Sequence, residues 1–129
     1  MSMRRILYVA LLALVPVAVM AQKAEKEKVV TKVKGLQVVN TTTLCDKVGF
    51  KSTTPLKVTI KKDKVVSVEP LPNGETPRFF KRVVDEMLPN FVGKKLNELD
   101  DVDGVSGATM SSNAVRENVR ASLKYVKKQ

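Results

Sequence analysis

The sequence has no histidine and no tryptophan, a single cysteine, two tyrosines and four phenylalanines. Without histidine there is no Ser-His-Asp triad, no His-Glu-x-x-His zinc site and no haem held by imidazole. One thiol, Cys45, forms neither an internal disulfide nor a cysteine-rich metal site, and beside Leu44 it reads as a small core residue. Few aromatics, with no Lys/Arg stripe interleaved among stacking residues, exclude nucleic acid as a partner. The acidic run Asp100-Asp101-Val102-Asp103-Gly104 fails as a calcium loop. With Gly104 as the turn glycine, Leu99 and Met110 fall where the first and last carboxylates are required. No metal site is expected.

Long apolar runs are equally scarce. The only one, Ile6 to Met20, follows Arg4-Arg5 and runs into Val19-Met20-Ala21, which supplies the small residues of a signal-peptidase site before Gln22. It is short for a membrane span. Residues 1–21 are therefore expected to be a signal peptide, with the mature chain exported to the periplasm or the outer face of the cytoplasmic membrane. The whole sequence carries 23 basic and 13 acidic side chains, and the leader holds only Arg4 and Arg5, so the mature chain keeps a net charge of +8. That excess suits a phosphate-bearing ligand, an anionic lipid or an acidic protein partner.

What is present is one domain's worth of alternating patterns. Residues 22–35 begin Lys- and Glu-rich and read as a flexible arm. From Val29 to Leu44 partial alternation predicts one strand. Leu56-Lys57-Val58-Thr59-Ile60-Lys61 alternates cleanly. Lys62-Asp63 turns it into Lys64 to Glu69, with Val66 and Val68 continuing the apolar face, so the pair predicts an antiparallel hairpin. Its lysines Lys57, Lys61, Lys62 and Lys64 form a candidate docking patch. Thr76-Pro77 reads as an N-cap with proline at the first helical position. Phe80, Val83, Val84, Met87 and Leu88 then share one helix face until Pro89. Asn90 to Asp101 is a connector, and a last helix is expected from about Asn113 to Lys127, with Val115, Val119, Leu123 and Val126 in one stripe. The fold class is α+β: a small antiparallel sheet packed by two or three amphipathic helices.

Between connector and last helix lies Asp103-Gly104-Val105-Ser106-Gly107-Ala108-Thr109. Its small residues permit positive φ and close approach of a bulky ligand. The helix start that follows, around Ser111-Ser112-Asn113, offers free N–H groups to an anion such as a phosphate. The loop lacks the third glycine of a dinucleotide fingerprint and the Gly-Lys-Ser/Thr of a P-loop. Read as a plain capped turn, it would leave Asp103 and Thr109 making local hydrogen bonds.

Every position of this loop resembles the Asp-x-x-Ser/Thr-Gly-Ala-Thr attachment motif of the FMN-binding domain family, found in sodium-pumping NADH:quinone oxidoreductases and Rnf-type complexes. Gly49-Phe50, the hairpin Lys57 to Val68, Glu75-Thr76-Pro77 and Phe91-Val92-Gly93-Lys94 also resemble the family, over residues 49 to 123. Arg78-Phe79-Phe80 departs from the glycine-containing stretch common there. The resemblance implies an FMN-binding domain over residues 36–129, with FMN joined to Thr109 by a phosphoester. The site residues it implies are Asp103, Ser106, Gly107, Ala108, Met110, Ser111 and Ser112 on the loop and helix start, and Glu75 and Thr76 at the turn. It further implies a separate exported flavin transferase that uses FAD with a divalent metal, and redox partner proteins, some membrane-bound. With no base beside Thr109, the chain is not expected to flavinylate itself. Chemistry would reside in the flavin, making the chain an electron carrier more than a self-contained enzyme. Two other readings stand at this point: a non-covalent flavin-binding or sensor module, and a flavin-free basic envelope-binding protein.

Overall fold

The computed structural model describes residues 29–128. The expected signal peptide, and residues 22–28 of the expected arm, lie outside the described residues. Four strands form a simple antiparallel meander in the order β1 (Val30–Val33), β2 (Leu36–Asn40), β3 (Leu56–Lys61) and β4 (Lys64–Pro70). Where the alternation predicted one strand over Val29–Leu44, there are two. Lys34 (φ 50°) and Gly35 (φ 80°) make a two-residue turn, and Val33 pairs with Leu36. Positive φ at both central residues matches the strand twist that a tight hairpin needs. A lysine at such a position gives no warning in the sequence. The arm expected to reach residue 35 is accordingly edge strand from Val30 onward.

The second hairpin turns at Lys62 and Asp63, both at positive φ. Its inner face differs from strict alternation. Thr59 pairs with Ser67 but Ile60 pairs with Val65, so Val66 is an extra residue opposite no partner. This bulge reverses the side-chain parity of β4. Val65 is buried, Val68 half-buried, and Val66, expected inside, faces solvent.

Helix α1 (Pro77–Glu86) starts at the Thr76–Pro77 signal, although the Thr76 side chain makes no capping bond. Two 3-10 segments, Leu88–Phe91 and Leu96–Asp101, carry Leu88, expected on the helix, and Phe91 and Leu99, expected only in a connector, into the core. Helix α2 (Thr109–Lys127) begins four residues before the expected Asn113. Ser111 and Ser112, read as terminus residues, instead turn their hydroxyls into the protein, where other groups satisfy them. The stripe Val115, Val119, Leu123 and Val126 packs on one face of the sheet against Val39, Leu56, Val58 and Ile60. Burial of each such side chain stabilises the fold by about 1.5–3 kcal/mol. The α+β class read from the sequence holds.

A small polar network is admitted to this core. Asn118, fully buried on α2, accepts from the Thr41 hydroxyl at 2.6 Å and donates to Thr54 Oγ1 at 3.2 Å and to the Ala114 carbonyl at 2.9 Å. Thr41 Oγ1 also accepts from the Leu56 N–H at 2.9 Å. The network is satisfied, so it locks the β2–β3 loop to the middle of α2 with no unpaired amide. Cys45, on that loop, is half-buried and free.

Candidate functional site

The β2–β3 loop, the Glu75 turn and the start of α2 converge at one end of the sheet. Glu75 joins them. Its carboxylate is 5% exposed, and Oε1 accepts from the Phe50 N–H at 2.9 Å and from the Ser111 hydroxyl at 2.7 Å. Oε2 accepts from the N–H groups of Lys51 at 2.6 Å and Ser52 at 3.2 Å. Burial by itself raises the carboxyl pKa, but the Ser111 and backbone hydrogen bonds together outweigh it and hold Glu75 below its ordinary value. Gly49 is required here: a Cβ at that position would collide with Glu75 Oε1 and press on the backbone of Ser111. One buried anion thus ties the Gly49-Phe50 segment to the first turn of α2.

That first turn is shaped by the loop before it. Val105 O accepts from the Ala108 N–H at 2.9 Å, closing a turn in which Gly107 adopts φ 82°. Ser112 Oγ, 1% exposed, accepts from the Val105 N–H at 2.9 Å. Gly104 packs so closely on the Ser112 side chain that a Cβ would be 3.1 Å from Ser112 Cβ. Arg116 pins the loop from the next turn of the helix, donating to the Val102 carbonyl at 2.7 Å and to Asn113 Oδ1 at 2.9 Å. Ala108 is the N-cap of α2, and no side chain caps the helix. The first intrahelical bond runs from Ser112 N to Ala108 O at 2.9 Å, which leaves the N–H groups of Thr109, Met110 and Ser111 without helical acceptors. Thr109, at the first helical position, is exposed.

Two hollows meet at Thr109. The first, about 340 Å³, is mostly apolar and is walled by Phe50, Phe79, Met110, Ala108 and Thr76. Phe50 is 59%, Met110 55% and Phe79 40% exposed, so three large apolar side chains stand in solvent around one cleft. Such a cluster on a small protein marks a binding surface. Arg78 lies over the Phe79 ring at 5.5 Å from its centroid. The second hollow, about 320 Å³, is lined by Ser106, Thr109, Asn113 and Arg116. The buried Nε of Arg116 has no hydrogen-bond partner among the described residues. Uncapped N–H groups, an orphaned guanidinium N–H and a free hydroxyl suit a phosphate, and the aromatic cleft beside them suits a flat ring.

The residues expected at the site divide by burial. Thr109, Ser106, Gly107, Met110 and Asp103 are exposed on the loop and helix start. Ala108 caps the helix and, with half-buried Thr76, lines the aromatic cleft. Glu75, Ser111 and Ser112 are buried, and their hydrogen bonds build the frame behind the loop. Of the adjacent pair, Phe79 faces the cleft while Phe80 is buried. Phe50 and Arg116 were absent from the expected site residues. Phe50 stands where the sequence has its Gly-aromatic pair. Arg116 carried no signal, because only the turn of the helix brings it back to the loop.

The model described as the FMN-binding domain matches residues 49–124 of the chain, a span that includes every element of this site. No curated protein and no solved structure matches. FMN is the cofactor of this domain, and the flavin-free reading falls with that match.

Proposed function

The chain belongs to the FMN-binding domain family, and from that membership and the site's geometry we propose that it is an exported electron-transfer protein bearing FMN on Thr109 Oγ1 through a phosphoester. The observation that carries the attachment point is the contrast among neighbouring hydroxyls. Ser111 and Ser112 are 3% and 1% exposed and hydrogen-bonded inward, whereas Thr109 is exposed at the uncapped helix start between the two hollows. The phosphate would be held by the N–H groups of the first turn and by Arg116, and the ring system by Phe50, Phe79 and Met110. When bound, the flavin supplies the redox chemistry; the protein supplies position, an apolar wall and a positive electrostatic setting.

Attachment needs a second protein. The buried carboxylate nearest the loop, Glu75, already accepts four hydrogen bonds and faces Ser111, so it does not stand ready to take the Thr109 proton. A flavin transferase would join the FMN part of FAD to Oγ1, with AMP leaving and the hydroxyl proton released. Expression alone and with such a transferase tests this. Alone, the chain emerges colourless with its unmodified mass. With the transferase and FAD it is yellow and heavier by one FMN less one water. Covalent yellow product without the transferase contradicts the proposal, and so does failure with a transferase that modifies another target.

A further inference from the structure

We propose that the end of the molecule opposite the flavin site is a docking surface for an anionic phospholipid membrane. Both hairpin turns lie at that end, because β2 and β3 pair from Gln37 with Ile60 to Asn40 with Lys57, and the site lies beyond the Asn40 end. The two turns present Lys34, Lys61, Lys62 and Lys64, all exposed. The connector adds Lys94 and Lys95, held there by the Val65 N–H to Lys94 O bond of 3.0 Å. Helix α2 ends at the same place, since Leu123 and Lys127 line one hollow with Asp63 and Lys95. Its last turns contribute Lys124, Lys127 and Lys128. From Thr109 to Lys127 the helix spans roughly 27 Å at 1.5 Å per residue, so the two ends are well separated.

Nine lysines therefore gather at one pole, with Asp63 and Glu98 the acidic groups among them. None of the nine is in an ion pair among the described residues; the lysines that are, Lys57 and Lys81, lie elsewhere. The negative end of the α2 dipole offsets only part of this charge. Around these lysines stand the exposed aliphatic side chains Val33, Val66 and Val92. The composition selects the occupant. Protein interfaces favour arginine and aromatic anchors and are depleted in lysine. The unpaired cations gathered at this pole are lysines, with Arg120 on the preceding turn of α2 tied to Asp100 and Glu117. The lysines are flexible point charges suited to a diffuse layer of lipid phosphates, with small apolar groups between them. Seated this way, the protein turns its flavin cleft away from the bilayer.

Vesicle sedimentation tests the proposal, using the protein as recovered from its host with neutral phosphatidylcholine vesicles and with vesicles containing phosphatidylglycerol. A pole variant carrying Lys61→Gln, Lys64→Gln and Lys95→Gln is compared with a charge-matched variant carrying Lys47→Gln, Lys57→Gln and Lys81→Gln. Each surface lysine adds about fivefold to partitioning, so the pole variant should bind anionic vesicles roughly a hundredfold more weakly. The matched variant should stay close to wild type, and all three should behave alike on neutral vesicles. All six side chains are exposed, so melting should be unaffected. The single substitutions, each worth about fivefold, serve if the triple variant is poorly produced. Equal losses in the two triple variants, no preference for anionic vesicles, or capture by an acidic protein in place of vesicles would each overturn the proposal.

Discussion

Replacing Glu75 by Gln removes one charge and almost no volume, which isolates what the carboxylate does. In the wild type it accepts from three backbone N–H groups and the Ser111 hydroxyl. A carboxamide has one accepting oxygen and an amino group that must point at donors. If its oxygen stays with Phe50 and Ser111, the amino group faces the N–H groups of Lys51 and Ser52, and both lose their acceptor. Hydrogen bonds to a charged group contribute about 1.5–3 kcal/mol each, so the loss should be about 3 kcal/mol, a large share of a small domain's stability. Urea unfolding measures it as a lower midpoint at unchanged slope. The pH dependence gives an independent check. Folding holds the Glu75 pKa below its ordinary 4.5, so the stabilisation is fully present above that value and is lost as pH falls from 4.5 through the lower folded value. The Gln variant should lack that acid-sensitive part, its stability curve meeting the wild-type curve at low pH. A variant within about 0.5 kcal/mol of wild type at neutral pH would refute the role given to Glu75.

Gly49→Ala should cost about 2 kcal/mol, because the new methyl group displaces the same carboxylate, and thermal unfolding would register it. Thr109→Ala should abolish covalent flavin while changing the unfolding free energy measured in urea by less than about 0.5 kcal/mol, since the side chain is exposed at the helix start. Asp103 is exposed at the beginning of the loop, and Asp103→Ala should slow flavinylation by the transferase without changing stability; a wild-type rate in a timed reaction would remove it from recognition.

Elements whose side-chain periodicity was complete were legible in the sequence. Leu56 to Ile60 and Val115 to Val126 each carry their burial pattern openly, and Thr76-Pro77 marks where α1 begins. The losses all involve backbone conformation or distant partners. A lysine at positive φ hid the first hairpin, and a single bulge at Val66 reversed the parity of β4. The true start of α2 was masked because Ser111 and Ser112 are poor helix formers whose hydroxyls find partners 36 and 7 residues away. At the site, the loop was legible as a motif. Its frame was not: that Glu75 reaches Phe50, Lys51, Ser52 and Ser111, and that Arg116 returns to Val102, follows only from the packed fold.

The claim that the flavin is carried by Thr109 is tested most directly by fragmenting the loop peptide of the transferase-modified protein and reading which residue retains the FMN mass. Exposure and helix position predict Thr109. The added mass on Ser106, the other exposed hydroxyl of the loop, or on buried Ser111 or Ser112, would contradict the account.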